Sequence, residues 1–299
     1  MKAVHLKDTR LRPIGGRPAS LYRFLLVAPV LLATVIVAFE CAAADRPVVL
    51  PIKLLGNFPV VNVTIEGKNV PLVFDSGNSG SVALTQAVLD AVKAIPTGQT
   101  SRGIDPKGNL ITYPKYIVHR LQIGTAIFTE VLAELDVHDP SYQATQVGQQ
   151  GFLGTSLVKG YQVVLDYPHR RMTLMPPGGP NDSSGGCTGT VVPFSPQWHG
   201  EPATEADTDL GRLVVWWDTG SPTSALSKRF VQKAGSHLPE DTVTSKRFSL
   251  AGTDFGPWQF DILDVSLPPG FDGFIGYNFF AKHIVCMDFP GRRLLISPS

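Results

Sequence analysis

One segment of this chain occurs twice. Gly151-Phe152-Leu153-Gly154 is followed by Val163-Val164-Leu165-Asp166-Tyr167-Pro168 and then by Arg170-Arg171-Met172-Thr173-Leu174. Gly273-Phe274-Ile275-Gly276 is followed by Ile284-Val285-Cys286-Met287-Asp288-Phe289-Pro290 and then by Arg292-Arg293-Leu294-Leu295-Ile296. The offset is 122 residues from Gly154 to Gly276 and again from Asp166 to Asp288. Three unlike motifs held in one register imply a duplicated structural unit. A second correspondence lies upstream. Leu72-Val73-Phe74-Asp75-Ser76-Gly77 matches Val214-Val215-Trp216-Trp217-Asp218-Thr219-Gly220 at an offset of 143, so the first half is longer by 21 residues between its two motifs. In both halves an apolar strand runs into an acidic turn. Helical spacing of apolar residues then predicts short helices over 85–95 and 227–234.

The duplication divides the chain into lobes at 46–175 and 188–299. Residues 176–187 join them and are rich in Pro, Gly and Ser, the composition of a linker. With 29 Gly and 25 Pro punctuating short Val/Ile/Leu runs, the expected fold is all-β, with two homologous lobes and short helices. Residues 60–74 read as a hairpin: Val61, Val63 and Ile65 alternate, Gly67-Lys68-Asn69 turns, and Pro71 to Phe74 return. Asp166 and Asp288 are expected to open a strand turn, with the neighbouring arginines as surface partners.

Residues 1–44 stand apart. Six basic residues precede an apolar run at 24–39, and Ala42-Ala43-Ala44 follows. This is the pattern of a signal peptide, with cleavage expected after Ala44. An uncleaved anchor that tethers the chain to a membrane through 24–39 is the alternative, the run being slightly short for a span of about 20 residues. Either way the chain is expected to be exported, to a periplasmic or extracellular location. Without 1–44 it holds 20 basic and 23 acidic residues, formally −3, which gives no electrostatic case for nucleic acid. Cys187 and Cys286 remain, and an oxidising compartment permits a disulfide between them. Seven histidines are present without metal-ligand spacing, so neither a metal nor a cofactor is expected. There is no Gly-x-Ser-x-Gly elbow for a serine hydrolase.

The chemistry concentrates at Asp75 and Asp218. A charged carboxylate at the end of a buried strand is costly unless the turn satisfies it. The Gly after Ser or Thr allows a tight turn that aims amides at the carboxylate. Asp-Ser/Thr-Gly is also an ordinary turn, expected by composition about 0.1–0.2 times in a chain this long. Two copies, each after an apolar strand and each followed by a matched apolar-apolar-Gly, are a pattern rather than a turn.

That pattern resembles the retropepsin–pepsin clan of aspartic peptidases. It is carried by Val73-Phe74-Asp75-Ser76-Gly77 with Phe152-Leu153-Gly154, and by Trp216-Trp217-Asp218-Thr219-Gly220 with Phe274-Ile275-Gly276. The similarity covers nearly all of the chain after the leader and is greatest to bacterial retropepsin-like proteins that carry both lobes in one chain. It implies a bilobal pepsin/retropepsin-like fold, a cleft between the lobes, Asp75 and Asp218 sharing one proton, and a water activated to attack a peptide carbonyl. Ser76 and Thr219 would bridge the turns beneath the dyad, Gly77 and Gly220 would shape them, and Gly154 and Gly276 would cross behind. Ser221 is placed to hydrogen-bond Asp218. Asn78 is a departure, since pepsin-like enzymes have a hydroxyl there and retroviral ones a small residue; Asn can donate to Asp75, which bears on the pH optimum. Residues 103–113 would form a covering flap with its tip at Lys107-Gly108-Asn109, and lobe two has little room for an equal one. Of Trp216 and Trp217, one faces the core and the other the cleft by alternation.

Two functions follow. The first is an endopeptidase acting as a monomer on a peptide or protein substrate. The second is a non-catalytic protein that keeps this fold to bind a peptide or partner.

Overall fold

The computed structural model describes residues 46–104, 110–137, 150–176, 187–197, 200–235, 241–264, 267 and 269–298. The leader, the tip expected at 107–109 and most of the 176–187 linker therefore lie outside the described residues.

The duplication appears as a pseudo-two-fold axis. A six-stranded antiparallel sheet joins the halves in the order Val48–Pro51, Arg171–Met175, Gln162–Asp166, His283–Asp288, Arg293–Pro298, Thr190–Pro193. At its centre Val164 pairs with Cys286, two residues that are 122 apart and so equivalent in the repeat. Each half gives this sheet three strands in the same order outward. Cys187 is disulfide-bonded to Cys286, with Cα atoms 5.5 Å apart, and so ties the start of the second half to the central strand.

The repeated Asp-aromatic-Pro and Arg-Arg motifs form the hairpin ends of this sheet. Asp166 is buried; it accepts from the His169 N–H (3.1 Å) and from Arg171 Nη2 (2.7 Å). Asp288 is buried likewise, accepting from the Gly291 N–H (2.9 Å) and Arg293 Nε (2.8 Å). The first arginine of each pair, Arg170 or Arg292, takes the positive φ that closes the turn (54° and 51°), and the second pairs with the aspartate.

Each half also folds its own sheet. In lobe one, Phe58–Ile65 and Lys68–Phe74 form a hairpin in which Val61, Val63, Ile65, Leu72 and Phe74 face the core. It starts two residues earlier than expected, and its turn is Glu66-Gly67 rather than 67–69. Both turn residues have positive φ (48° and 78°), as a two-residue hairpin loop requires, so Lys68 pairs with Ile65. In lobe two, Glu201–Thr208 pairs with Gly211–Trp217 in the same way. Each aspartate-bearing strand then pairs in parallel with the following glycine-bearing strand: Phe74 lies opposite Leu153, and Trp217 opposite Ile275.

The helices are shorter than the spacing predicts. Gln86–Val92 ends because Lys93 adopts a left-handed conformation (φ 56°), and Ile95 already begins a strand. Lys228–Lys233 is capped by Ser227, whose Oγ accepts from the Phe230 N–H. The lobes differ most in one hairpin, where Ile95–Ile104 pairs with the 14-residue strand Leu110–Ile123. The corresponding region of lobe two holds the short strands Thr242–Ser245 and Phe248–Leu250.

Candidate active site

Asp75 and Asp218 each follow the last residue of a buried strand, and the neighbouring strand fixes both backbones. The Asp75 N–H donates to Leu153 O and the Asp218 N–H to Ile275 O, each at 2.9 Å. Gly154 and Gly276 then pass behind the turns. A Cβ on Gly154 would stand 2.3 Å from Gly80 O, and one on Gly276 2.0 Å from Thr223 O. The backbones cross too closely there for any side chain.

Beneath the aspartates the two turns brace each other. The Ser76 N–H donates to Thr219 Oγ1 (2.9 Å), and the Thr219 N–H donates to Ser76 Oγ (3.0 Å). Each hydroxyl then donates across the lobe boundary, Ser76 Oγ to Trp217 O and Thr219 Oγ1 to Phe74 O, both at 2.6 Å. Both residues are fully buried, so these bonds face no competition from water. The arrangement has the same pseudo-two-fold symmetry as the sheet below.

The carboxylates meet above this brace. Asp75 Oδ1 accepts from the Gly77 N–H (2.9 Å) and Asp218 Oδ1 from the Gly220 N–H (2.8 Å). Each also reaches over the opposite turn: a Cβ on Gly77 would stand 2.8 Å from Asp218 Cγ, and one on Gly220 would stand 2.6 Å from Asp75 Oδ1. The two carboxyl groups stand close enough to oppose each other's ionisation. Burial pushes Asp75 well above the usual carboxylate range, the Asp218 charge and hydrogen bond add to this, and Glu201 adds a little more. Burial also raises Asp218, but donation from Trp216, from the Asp75 carboxyl and from the Gly220 N–H holds it back. Both carboxyl groups are therefore harder to ionise than an ordinary aspartate, and the donors around them differ.

The other expected neighbours are placed differently. The Ser221 hydroxyl donates to Thr223 O (2.7 Å) rather than to Asp218. The carbonyl two residues on is within closer reach, a local side-chain-to-backbone bond that serine favours. Asn78 Oδ1 accepts from the Gly80 N–H (2.8 Å) and so folds its own loop instead of serving Asp75. Its backbone carbonyl takes the Thr155 N–H (2.8 Å), as Ser221 O takes the Tyr277 N–H (3.1 Å). Both residues thus anchor the crossing glycine segments.

Three residues near the dyad do not follow from the aspartate motifs. Trp216 Nε1–H points at Asp218 Oδ2 (3.4 Å), while Trp217 is the core residue, bonded through Nε1–H to Thr204 Oγ1 (3.0 Å). Alternation separates the two faces, but not the donor's target. Glu201 stands on the dyad face of its strand, two residues before Ala203, which pairs with Trp216. The 143-residue offset makes it the counterpart of buried Phe58, and extending the self-comparison over Pro59 and Pro202 would have found it. Tyr167 is buried beneath the dyad, where burial and the two aspartates raise its phenol. Its counterpart in the repeat is Phe289. On the lobe-one side, Ser101 of the long hairpin donates to Glu134, and a Cβ on Gly80 would lie 3.7 Å from Glu134 Oε2. The hairpin arm is thereby tied toward the Asp75 loop.

Two all-β lobes on a shared six-stranded sheet, each ending a strand in an aspartate turn, make up the fold of the pepsin-like aspartic proteinases. Among solved structures, the chain is similar to an aspartic proteinase from Irpex lacteus. The match covers 85% of this chain and 97% of that one, with a TM-score of 0.57 and 12% identity, so the likeness is one of fold. No family model matches the sequence. No curated protein matches it either.

Proposed function

We propose that the chain is an aspartic endopeptidase whose dyad is Asp75 and Asp218. The observation that carries this reading is the reciprocal Ser76–Thr219 brace, beneath two buried carboxyl groups that face each other across the lobe boundary. A purely structural pair of turns has no need to bury two carboxyl groups in contact, because that arrangement opposes their ionisation.

In this reading Asp218 is the base and Asp75 the acid. A water held between them gives a proton to the Asp218 carboxylate as its oxygen attacks the peptide carbonyl carbon. Asp75 gives its proton to the carbonyl oxygen, and a neutral tetrahedral diol forms. The carbon–nitrogen bond then breaks: the nitrogen takes the proton from Asp218, and a diol hydroxyl returns its proton to Asp75. Acid and amine products leave, and the dyad recovers its starting protonation. The Gly77 and Gly220 amides keep both carboxyl planes fixed throughout. The long hairpin formed by Ile95–Ile104 and Leu110–Ile123 would flank the bound peptide. The resemblance in the motifs further suggests a two-lobe bacterial retropepsin-like protein, exported and monomeric, since one chain supplies both aspartates.

The test is cleavage of an unfolded protein between acidic and neutral pH by the wild type, Asp75→Asn and Asp218→Asn. Turnover lost by at least 100-fold in both variants is expected, within the range attributed to an essential acid or base. Variants as active as the wild type would overturn the mechanism. Tight peptide binding without turnover by the wild type would favour the non-catalytic reading.

A further inference from the structure

The two halves of the dyad differ in one donor. Asp75 and Asp218 receive matched amides from Gly77 and Gly220 on Oδ1. The residue two positions earlier on each strand faces the same side of the sheet as the aspartate. In lobe one this is Val73, which has nothing to donate and packs with Phe58, Val60 and Phe152. In lobe two it is Trp216, whose indole N–H lies 3.4 Å from Asp218 Oδ2. The Ser221 and Asn78 side chains are engaged with their own loops.

The ring is held in place. Phe271 meets it edge-on at 4.9 Å (70°), and Phe274 stacks on it at 6.1 Å (18°). Both phenylalanines are buried. Phe274 also pairs with Trp216 through the parallel strands, so the indole cannot shift without moving the segment that ends at Gly276.

Among the described residues, the ionisable groups that face this corner are all acids. Asp75 opposes Asp218 from the other turn. Glu201 is on the neighbouring strand. Tyr167 lies beneath the dyad with Tyr277 beside it. Asp272 ends its loop by accepting the Val214 N–H (2.9 Å). None of them supplies a positive charge to Asp218. The Gly220 amide has its match at Asp75, so the Trp216 indole is the donor to Asp218 without a counterpart in lobe one.

We propose that Trp216 is a positioning residue of the dyad: its indole N–H, clamped by Phe271 and Phe274, holds Asp218 as the water-activating carboxylate and leaves the shared proton on Asp75. This rests on the peptidase reading and adds to it the origin of the dyad's asymmetry. A hydrogen bond to a carboxylate favours its charged form, and 3.4 Å is long enough to make the effect modest.

The test uses Trp216→Phe, which keeps an aromatic ring between Phe271 and Phe274 and removes only the donor. The acidic limb of the kcat/KM–pH profile reports the ionised base of the free enzyme. Loss of the donor destabilises that ionised form, so the limb should move to higher pH by roughly 0.5–1 unit, with a smaller change on the alkaline side. An acidic limb that does not move overturns the proposal and leaves the peptidase reading intact. A wild type without any turnover strikes at the peptidase reading instead. The second measurement needs no activity: the indole 15N–1H resonance of Trp216 in the full chain, one of four tryptophans, assigned by its loss in Trp216→Phe or by elimination against Trp198→Phe, Trp217→Phe and Trp258→Phe. It should titrate with the dyad in the wild type and lose that titration in Asp218→Asn. A resonance indifferent to Asp218→Asn overturns the proposal even where Trp216→Phe fails to fold.

Discussion

Thr219→Val removes one oxygen from the centre of the molecule and keeps the side-chain shape. Thr219 Oγ1 accepts the Ser76 N–H and donates to Phe74 O, across the boundary between the lobes. Neither group can turn to water, because Ser76, Thr219 and Phe74 are all fully buried. Each buried polar group left without a partner costs about 1–3 kcal/mol, so the substitution should destabilise the protein by about 2–6 kcal/mol. Thr219→Ser keeps the oxygen and loses a methyl group, which should cost about 1 kcal/mol. The assay is equilibrium urea unfolding of the three proteins, followed by the cycle with Ser76→Ala.

That second substitution orphans a different pair, the Thr219 N–H and Trp217 O. If the four bonds acted separately, the two losses would add. The turns brace each other, so a turn already released should lose less when its partner is cut. A coupling of about 0.5–3 kcal/mol is expected, the range for residues in one network. Thr219→Val within about 1 kcal/mol of wild type would refute the brace as a stabilising unit, since even one orphaned group should cost that much. Additivity in the cycle would refute its cooperativity.

The dyad should also make stability depend on pH. Both aspartates have folded-state values raised above their unfolded ones, so their contribution is fully present below the ordinary carboxylate value and is lost as pH rises through the raised values. Asp75→Asn removes the more strongly raised member, so its Tm should gain on the wild type as pH climbs from 4 toward neutrality; parallel Tm curves would contradict the buried, proton-sharing pair. Asp166 works in the opposite sense. Burial would raise it, but Arg171 and His169 hold it below the usual range, so its contribution fades as pH falls through that lowered value. Reducing the disulfide should cost up to about 4–5 kcal/mol by the chain-entropy argument for a loop near 100 residues. The cysteines are 99 apart in sequence. Urea midpoints with and without reductant measure this, and a midpoint unchanged by reduction would show that the crosslink adds nothing.

The fold was legible because duplication constrains two places at once. The 122-residue register meant that equivalent residues had to be related by an axis, and Val164 opposite Cys286 lies on it. The 143-residue register put two Asp-hydroxyl-Gly turns in equivalent positions, where Ser76 and Thr219 exchange hydrogen bonds. Symmetry explains what the two turns share. It gives no guide to where they differ, and the chemistry depends on the difference. Ser221 and Asn78 looked like donors to the carboxylates by position, yet each found a backbone group within two residues first, and a local partner costs less chain entropy than a remote one. Trp216 was readable as a residue on the dyad face. Its aim at Asp218 depends on Phe271 and Phe274, more than fifty residues away, which no local pattern around the aspartate contains. Glu201 was hidden for another reason: at the position where lobe one buries Phe58, lobe two carries a carboxylate, so the repeat is preserved in backbone and reversed in chemistry. A duplicated chain is therefore best searched for function where its copies disagree. Here Trp216 replaces Val73, Glu201 replaces Phe58 and Tyr167 replaces Phe289, and each of the three polar residues bears on the aspartates that the copies share.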